Sequence, residues 1–581
     1  MVPMRRILVL LVLAGGATAA AMGGTGDDNA TIKLIAFNDL HGYLDPPGRI
    51  EVPDPRAVGR TLSLSAGGIA WLGGMVDELR RRNPNNAVVG AGDMVGASPL
   101  ESARFHDEPT IEVLNALGLE FTAVGNHEFD HGRAELMRLQ NGGCAMPHDD
   151  STCQLDGRFN GARFRYLAAN VIDEATGHSL FPGYAIKHFN VGGHTLKIGF
   201  IGLVLRQTPG MVPHAGIAGL RFTDEADAAN ALIPELQKQG VHAIVVLIHQ
   251  GVTTQGSYND TQCPGAGGGL LPIIARFDPL IGVVISGHTH QAYVCRTVDT
   301  NRDKSLLYTS AGSYGHYVTD IDLTLQPDSG EIVSARAENR VVVNDRTPNP
   351  APASYPSVEP DAEVAAIAGH FDARVATLKR RALGRITGDF TRQQTPAGES
   401  TLGDLVADAQ LAATSAFNRG GATIAFTNTG GLRSDLAGPS GRVVTFGDVF
   451  SAQPFNNMLV TLTLSGAQIK AVLEQQWSEA GMSRVLQISH GFHYRWSATA
   501  SAGNRVDTDS LKLGEESIKP DSVYRVTVNS FLADGGDGFS VFKDGTGRAG
   551  HGLLDADALA DYIRVRQQIS PQPLDRIRRT G

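Results

Sequence analysis

Five short apolar runs, each closed by a cluster of Asp, His, Asn or Gly, constrain this 581-residue chain more than any other feature. The runs at 31–37, 87–90, 121–124, 242–248 and 280–285 are built mostly from Val, Ile, Leu, Phe and Ala. Such segments suit strands covered on both faces. Amphipathic helical segments at 69–82 and 109–117 lie between them, which predicts an α/β domain with a buried sheet. The clusters that follow the runs are Asn38-Asp39-Leu40-His41-Gly42, Gly92-Asp93, Gly125-Asn126-His127-Glu128-Phe129-Asp130, His249-Gln250-Gly251 and Gly287-His288-Thr289-His290. Carboxyl ends of strands in an open α/β sheet converge on one edge, where ligands bind. Five separate clusters therefore become one expected site.

The residue types in that site point to metal ions. Asp39 and His41 are two apart, so on extended backbone they face the same side and can share an ion. His288 and His290 have the same spacing and can be divided between two adjacent ions. Imidazole and carboxylate without thiolate suit Zn, Mn or Fe. Two ions roughly 3.5–4 Å apart can hold both a nucleophilic hydroxide and phosphoryl oxygens. Alone, a histidine after a strand is usually a surface or cap residue, and Gly-Asp is a turn. Together, five clusters of the types a dinuclear site needs leave coincidence a poor explanation. The histidines outside these clusters, including His106, His131, His148 and His316, lack that setting and read as ordinary polar side chains.

Residues 1–21 carry Arg5 and Arg6, an apolar run at 7–13 and small residues at 17–21, the pattern of a cleaved export signal. That run is far shorter than the roughly 20 residues that span a bilayer. The expected product is periplasmic or secreted, without a stable membrane anchor. Four cysteines after such a signal predict two disulfides, and Cys144–Cys153 with Cys263–Cys295 is the favoured pairing of the three possible ones. A net charge of -10 argues against a nucleic-acid polymer as ligand. An anionic substrate then needs local positive charge, which metals supply. The oligomeric state is not legible.

Five prolines in 346–360 mark an interdomain linker. Residues 361–381 follow as a helix, with Val364, Ile367, Phe371, Val375 and Leu378 along one face. From 383 onward a second α/β region is expected, with strands near 423–427, 459–464 and 524–528. Three of its patches stand out: Asn428-Thr429-Gly430-Gly431-Leu432-Arg433, Pro454-Phe455, and the run from Phe531 through Gly535-Gly536-Asp537-Gly538 to Phe539.

The order D-x-H, G-D, G-N-H-E-F-D, H-x-G, G-H-x-H resembles the calcineurin-like metallophosphoesterases, and Asn126-His127-Glu128-Phe129-Asp130 is similar to their 5′-nucleotidase branch. The resemblance implies a four-layer αββα sandwich at 30–345, a linker with hinge helix at 346–382 and an α/β nucleotide-binding domain at 383–581. It implies that Asp39, His41, Asp93 and His290 hold one divalent ion, that Asp93, Asn126, His249 and His288 hold the other, and that His127 with Asp130 forms the catalytic pair. The implied reaction is hydrolysis of 5′-nucleotides by metal-bound hydroxide. In the second domain Phe455 and Phe531 would sandwich the base, Asp537 would accept from ribose hydroxyls, and Asn428, Gly431 and Arg433 would contact the nucleotide. One departure is visible: an arginine found in animal members before a Met-Gly-Asn-Leu segment is absent from the stretch Gly398 to Leu405, where Leu402-Gly403-Asp404-Leu405 stands for that segment. Arg392 is the nearby candidate to replace it. UDP-sugars, cyclic nucleotides and other phosphate or sulfur esters are the alternative substrates. A non-catalytic binding protein on the same scaffold is a third reading, against which the full set of ligand-type residues speaks.

Overall fold

A computed structural model describes residues 29–57, 59–145, 151–297, 305–346, 352–477 and 484–581. The leader expected at 1–21 lies outside these residues, as do His148 and part of the linker. Among the described residues no helix is long and apolar enough to cross a membrane.

Two six-stranded sheets face each other in the N-terminal half. The first runs in the order Ile332–Val341, Tyr317–Leu325, Ala30–Phe37, Asn86–Ala91, Phe121–Ala123, Arg165–Leu167. Its last four strands are parallel. The second runs Ala292–Arg296, Leu307–Ala311, Ile281–Ser286, Ala243–His249, His194–Val204, Tyr184–Val191, with its central four strands parallel. Alternate residues such as Leu34, Val89, Leu247 and Ile285 fill the space between the sheets. The opposite faces are covered by helices, Ile69–Arg82, Glu108–Leu117 and Gly132–Asn141 on the first sheet and Glu225–Lys238 on the second. Each central strand is thus buried on both sides, which is why its sequence is a continuous apolar run. The layers are α, β, β, α.

Disulfides join Cys144 to Cys153 and Cys263 to Cys295. The second ties the loop after Ala243–His249 to the strand Ala292–Arg296.

The helix Ala362–Lys379 starts at Asp361, whose side chain accepts the amide of Val364 at 2.9 Å. It is not a free spacer. Val364 packs into the core beneath the first sheet, while Phe371 and Val375 join Leu100 and Phe105 of the first half and Leu383, Leu402 and Phe450 of the second in one core. Burying a phenylalanine such as Phe371 contributes about 1.5–3 kcal/mol. The chain entering the helix passes so close to Ile69–Arg82 that a Cβ on Gly74 would collide with the Glu359 carbonyl oxygen. At the far end Lys379 Nζ lies 2.6 Å from Asp45 and 3.2 Å from Glu101, both in the first half.

The C-terminal half is built on a sheet ordered Gln487–Ile488, Ile424–Thr427, Val523–Asn529, Met458–Ser465, Thr546–Leu554. Ile424–Thr427 and Val523–Asn529 are parallel, and Met458–Ser465 is antiparallel to them. Asn428 and Phe531 therefore leave the sheet at the same edge at which Phe455 enters it.

Candidate active site

The parallel strands of both sheets in the first half end at one edge, and all five clusters meet there. Asp39, His41, Asp93, Asn126 and His249 are fully buried, and His288 and His290 are half-buried. Two groups of metal-type ligand atoms lie side by side, Asp39 with His41 and His290, and Asp93 with His249 and His288, each group within 4.8 Å. Asp93 Oδ2 stands between them, 3.6 Å from His41 Nε2 and 2.9 Å from His249 Nε2. His127 also comes within reach of His41 and Asp93.

The backbone around these ligands is unusual. Asp39, His41, Asp93, His288 and His290 all have positive φ, between 49° and 72°. For residues other than glycine that region is sparsely populated, at a cost of about 1–3 kcal/mol each. Strain concentrated on five residues of one cluster marks a site whose geometry is imposed by the fold.

Second contacts orient the ligands. The Nδ1 of His41 lies 2.9 Å from the Gly96 carbonyl and that of His249 lies 2.8 Å from the Ala91 carbonyl, so each ring can turn Nε2 inward. Asn38 donates to Asp39 Oδ2 at 2.6 Å, and the amide of His288 reaches the same carboxylate at 3.0 Å. Such partners fix tautomer and direction in metal sites. Asn126 Oδ1 is buried with no hydrogen-bond partner. Orphaned buried acceptors are costly unless something else meets them. Divalent cations fit this donor set.

His127 sits above the ligands, its Nδ1 2.9 Å from Asp130 Oδ2. Burial opposes its protonation, but the carboxylates of Asp130 and Asp93 outweigh it and raise the imidazole above its ordinary pKa. Burial lowers His288 to about 3, assisted by neighbouring His249, which keeps it a neutral ligand-type ring.

The second half supplies the opposite wall. A cleft of about 260 Å³ is lined by Asn126, His127, Asp130 and His288 from one half and by Asn428, Gly431, Arg433, Phe455, Phe531 and Asp537 from the other. Phe455 stacks on His127 with ring centres 5.7 Å apart at 26°. Arg433 donates toward His41 Nε2 at 3.3 Å. Asn428 donates to Asp537 Oδ2 at 2.8 Å and accepts from Asn529 at 3.0 Å. Apart from Arg392, the residues singled out in the sequence for metal, catalysis or substrate are brought together at this junction.

Others were not foreseen. His131, set aside as an ordinary polar residue, lines the cleft, as does Ser98, whose buried hydroxyl makes no hydrogen bond. Arg392 is engaged elsewhere: its Nε lies 2.8 Å from Asp435 Oδ1 and its Nη1 donates to the Arg433 carbonyl at 2.7 Å. Glu128 is buried behind the ligands.

Residues 32–292 match the calcineurin-like phosphoesterase family and residues 375–544 match the 5′-nucleotidase C-terminal domain family. The chain is 30% identical to endonuclease YhcR of Bacillus subtilis over 87% of its own length, but it spans only 37% of that protein. It is also 30% identical to cell wall protein Lmo0130 of Listeria monocytogenes, covering 92% of this chain and 68% of that one. The crystal structure of a 5′-nucleotidase precursor from Thermus thermophilus superposes with a TM-score of 0.73 at 26% identity, covering 95% of this chain and all of the other.

Proposed function

The chain belongs to the calcineurin-like phosphoesterases that carry a 5′-nucleotidase C-terminal domain, a family of phosphate-ester hydrolases, and from that premise we propose that it is an exported enzyme converting 5′-nucleotides to nucleoside and phosphate. One observation carries the substrate class: the cleft that touches the ligand-type residues is closed by two phenylalanines, an aspartate and two arginines, Arg433 and Arg484, of the second half.

In this reading Asp39, His41, Asp93 and His290 hold one ion, and Asp93, Asn126, His249 and His288 hold a second; the position of Asp93 Oδ2 between the two groups supports it as the bridge. Bound ions would neutralise phosphoryl charge and supply an activated water. His127, kept protonated by Asp130, faces the phosphoryl group and stabilises charge on the leaving oxygen. Arg433 turns from His41 to the phosphoryl oxygens. Phe455 and Phe531 take the base between them, a stacking worth about 1–3 kcal/mol that tolerates different bases. Asp537, steadied by Asn428, accepts from the ribose.

Because metal and base residues belong to different halves, we propose a hinge near 346–382 that closes substrate between them. A disulfide engineered across the cleft mouth that left turnover unchanged would refute this.

A second reading has its own support. Because Arg392 is committed to Asp435 and to the Arg433 backbone, Arg433 faces the phosphoryl group without a second arginine from that stretch. Arg484, the cleft's other arginine, donates to the Asp537 carbonyl at 3.0 Å, beside the proposed ribose contact; a single arginine at the phosphoryl group favours a phosphodiester, which carries one charge, over a monoester, which carries two. Hydrolysis of nucleoside mono-, di- and triphosphates, cyclic nucleotides and UDP-sugars, assayed with Mn and Zn and read as free phosphate for the first three and as nucleoside monophosphate formed for the last two, decides between them. A preference for cyclic nucleotides or UDP-sugars over 5′-monophosphates would overturn the first reading.

A further inference from the structure

We infer that Glu128 is a positioning residue for the metal centre, locking the two loops that present Asp93 and Asn126; this rests on the metal-centre reading above. Its carboxylate is 3% exposed and accepts three backbone amides, those of Asp93 at 2.9 Å and Gly125 at 2.6 Å on Oε2 and that of Met94 at 2.8 Å on Oε1. Those amides belong to two loops that leave the neighbouring parallel strands Asn86–Ala91 and Phe121–Ala123. Asp93 returns the contact: its Oδ1 accepts the amide of His127 at 2.9 Å. Each loop thus contributes one carboxylate and receives amides from the other. The loops sit in direct contact, since a Cβ on Gly125 would collide with the Asp93 carboxylate.

This exchange explains how Asp93 keeps a left-handed backbone, φ 52°, at a position where nothing but the fold requires it. A buried carboxylate needs partners for its lone pairs, and three amides meet that need with no basic side chain brought into the site. Without Glu128 those amides lose their acceptor, Asp93 can relax toward an ordinary conformation, and the spacing of Asp93 and Asn126 is released. Groups that orient ligands from behind typically carry 10–100-fold in metal affinity.

The test uses the full chain, stripped of metal, with Mn²⁺ binding followed by calorimetry and thermal unfolding of the metal-free protein recorded beside it. Glu128→Ala should weaken Mn²⁺ binding by about 10–100-fold. Glu128→Gln should fall between it and wild type, since the amide oxygen can still accept from two donors while its NH₂, itself a donor, leaves the third amide without an acceptor. Leu117→Ala, a core truncation in the same half, should lower the unfolding temperature without a comparable loss of Mn²⁺ affinity. Unchanged affinity in Glu128→Ala, or an equal loss in Leu117→Ala, would overturn the role. If Glu128→Ala does not fold, Glu128→Gln against Leu117→Ala carries the same comparison. Wild-type protein that binds neither Mn²⁺ nor Zn²⁺ would overturn the metal centre and this role with it, whereas bound metal without nucleotide hydrolysis would overturn only the substrate reading.

Discussion

The two walls of the cleft are built on different principles. On the metal side most of the ligand-type side chains are fully buried, and the two innermost imidazoles and Asp39 each have a second contact that sets their direction. On the other side Arg433, Phe455, Phe531 and Asp537 are half-buried, and two of them reach across to His41 and His127 of the first half. In the proposed reading the metal ligands and the His127–Asp130 pair all belong to one half, while Arg433 and the selecting surface come from the other. Chemistry and selection should therefore fail separately.

The largest separation comes from the metals. Asp93→Asn, or removal of metal by chelation, should reduce hydrolysis of nucleotide and small aryl phosphate alike to background; metal analysis with phosphate release checks this, and full activity in chelated protein breaks the comparison. Next, His127→Ala should lower kcat by about 10²–10⁴-fold on nucleotides, while bound metal is unchanged. Loss of metal instead would place His127 among the ligands. Truncating the selecting wall should act on one substrate class alone: Phe455→Ala or Phe531→Ala should weaken nucleotide use by about 1–3 kcal/mol, read in kcat/KM, with aryl phosphate hydrolysis retained. Equal loss on both would show that the phenylalanines are core.

The last effect touches neither chemistry nor selection but the stability of the second half. Burial, with Glu399 and Asp408 nearby and despite Arg576, raises the Asp404 carboxyl to about 8. Its folded pKa lies above the unfolded value near 3.9, so the protonated side chain favours folding. That contribution is present below about pH 4 and is lost as pH rises through about 8. The unfolding temperature of Asp404→Asn relative to wild type should therefore climb between pH 5 and 9. A difference that is flat across this range would remove Asp404 from the account.

What the sequence made legible has one physical character. The five clusters and their strands could be read because a doubly covered parallel strand writes itself as a contiguous apolar run, and the ends fall within about one residue of those expected. The base-side patches followed from resemblance, and the topology gives the reason they converge: two parallel strands and one antiparallel neighbour share an edge. Hidden from the sequence were contacts made by main-chain groups. The carbonyls of Ala91 and Gly96 that aim His249 and His41 belong to residues with no chemical signature, and Glu128 shows its purpose only when its partners prove to be amides. The fate of Arg392 depended on Asp435, 43 residues away. The linker helix read as an amphipathic hinge helix, but its apolar face is divided between the cores of both halves.

The bridge between Cys263 and Cys295 encloses 32 residues of sequence separation, and His288 and His290 lie inside that span. Two of the ligand-type side chains thus belong to a covalent ring even when the chain is unfolded. Closing a ring of this size removes about 3–4 kcal/mol of unfolded-state entropy. Maturation then has a natural order, oxidation first and metal loading afterwards, because the ring narrows the search that brings both histidines to the sheet edge. Protein made where thiols stay reduced should refold into metal more slowly than oxidised protein, and equal rates of Mn²⁺ uptake from the two denatured forms would show that the ring serves stability alone.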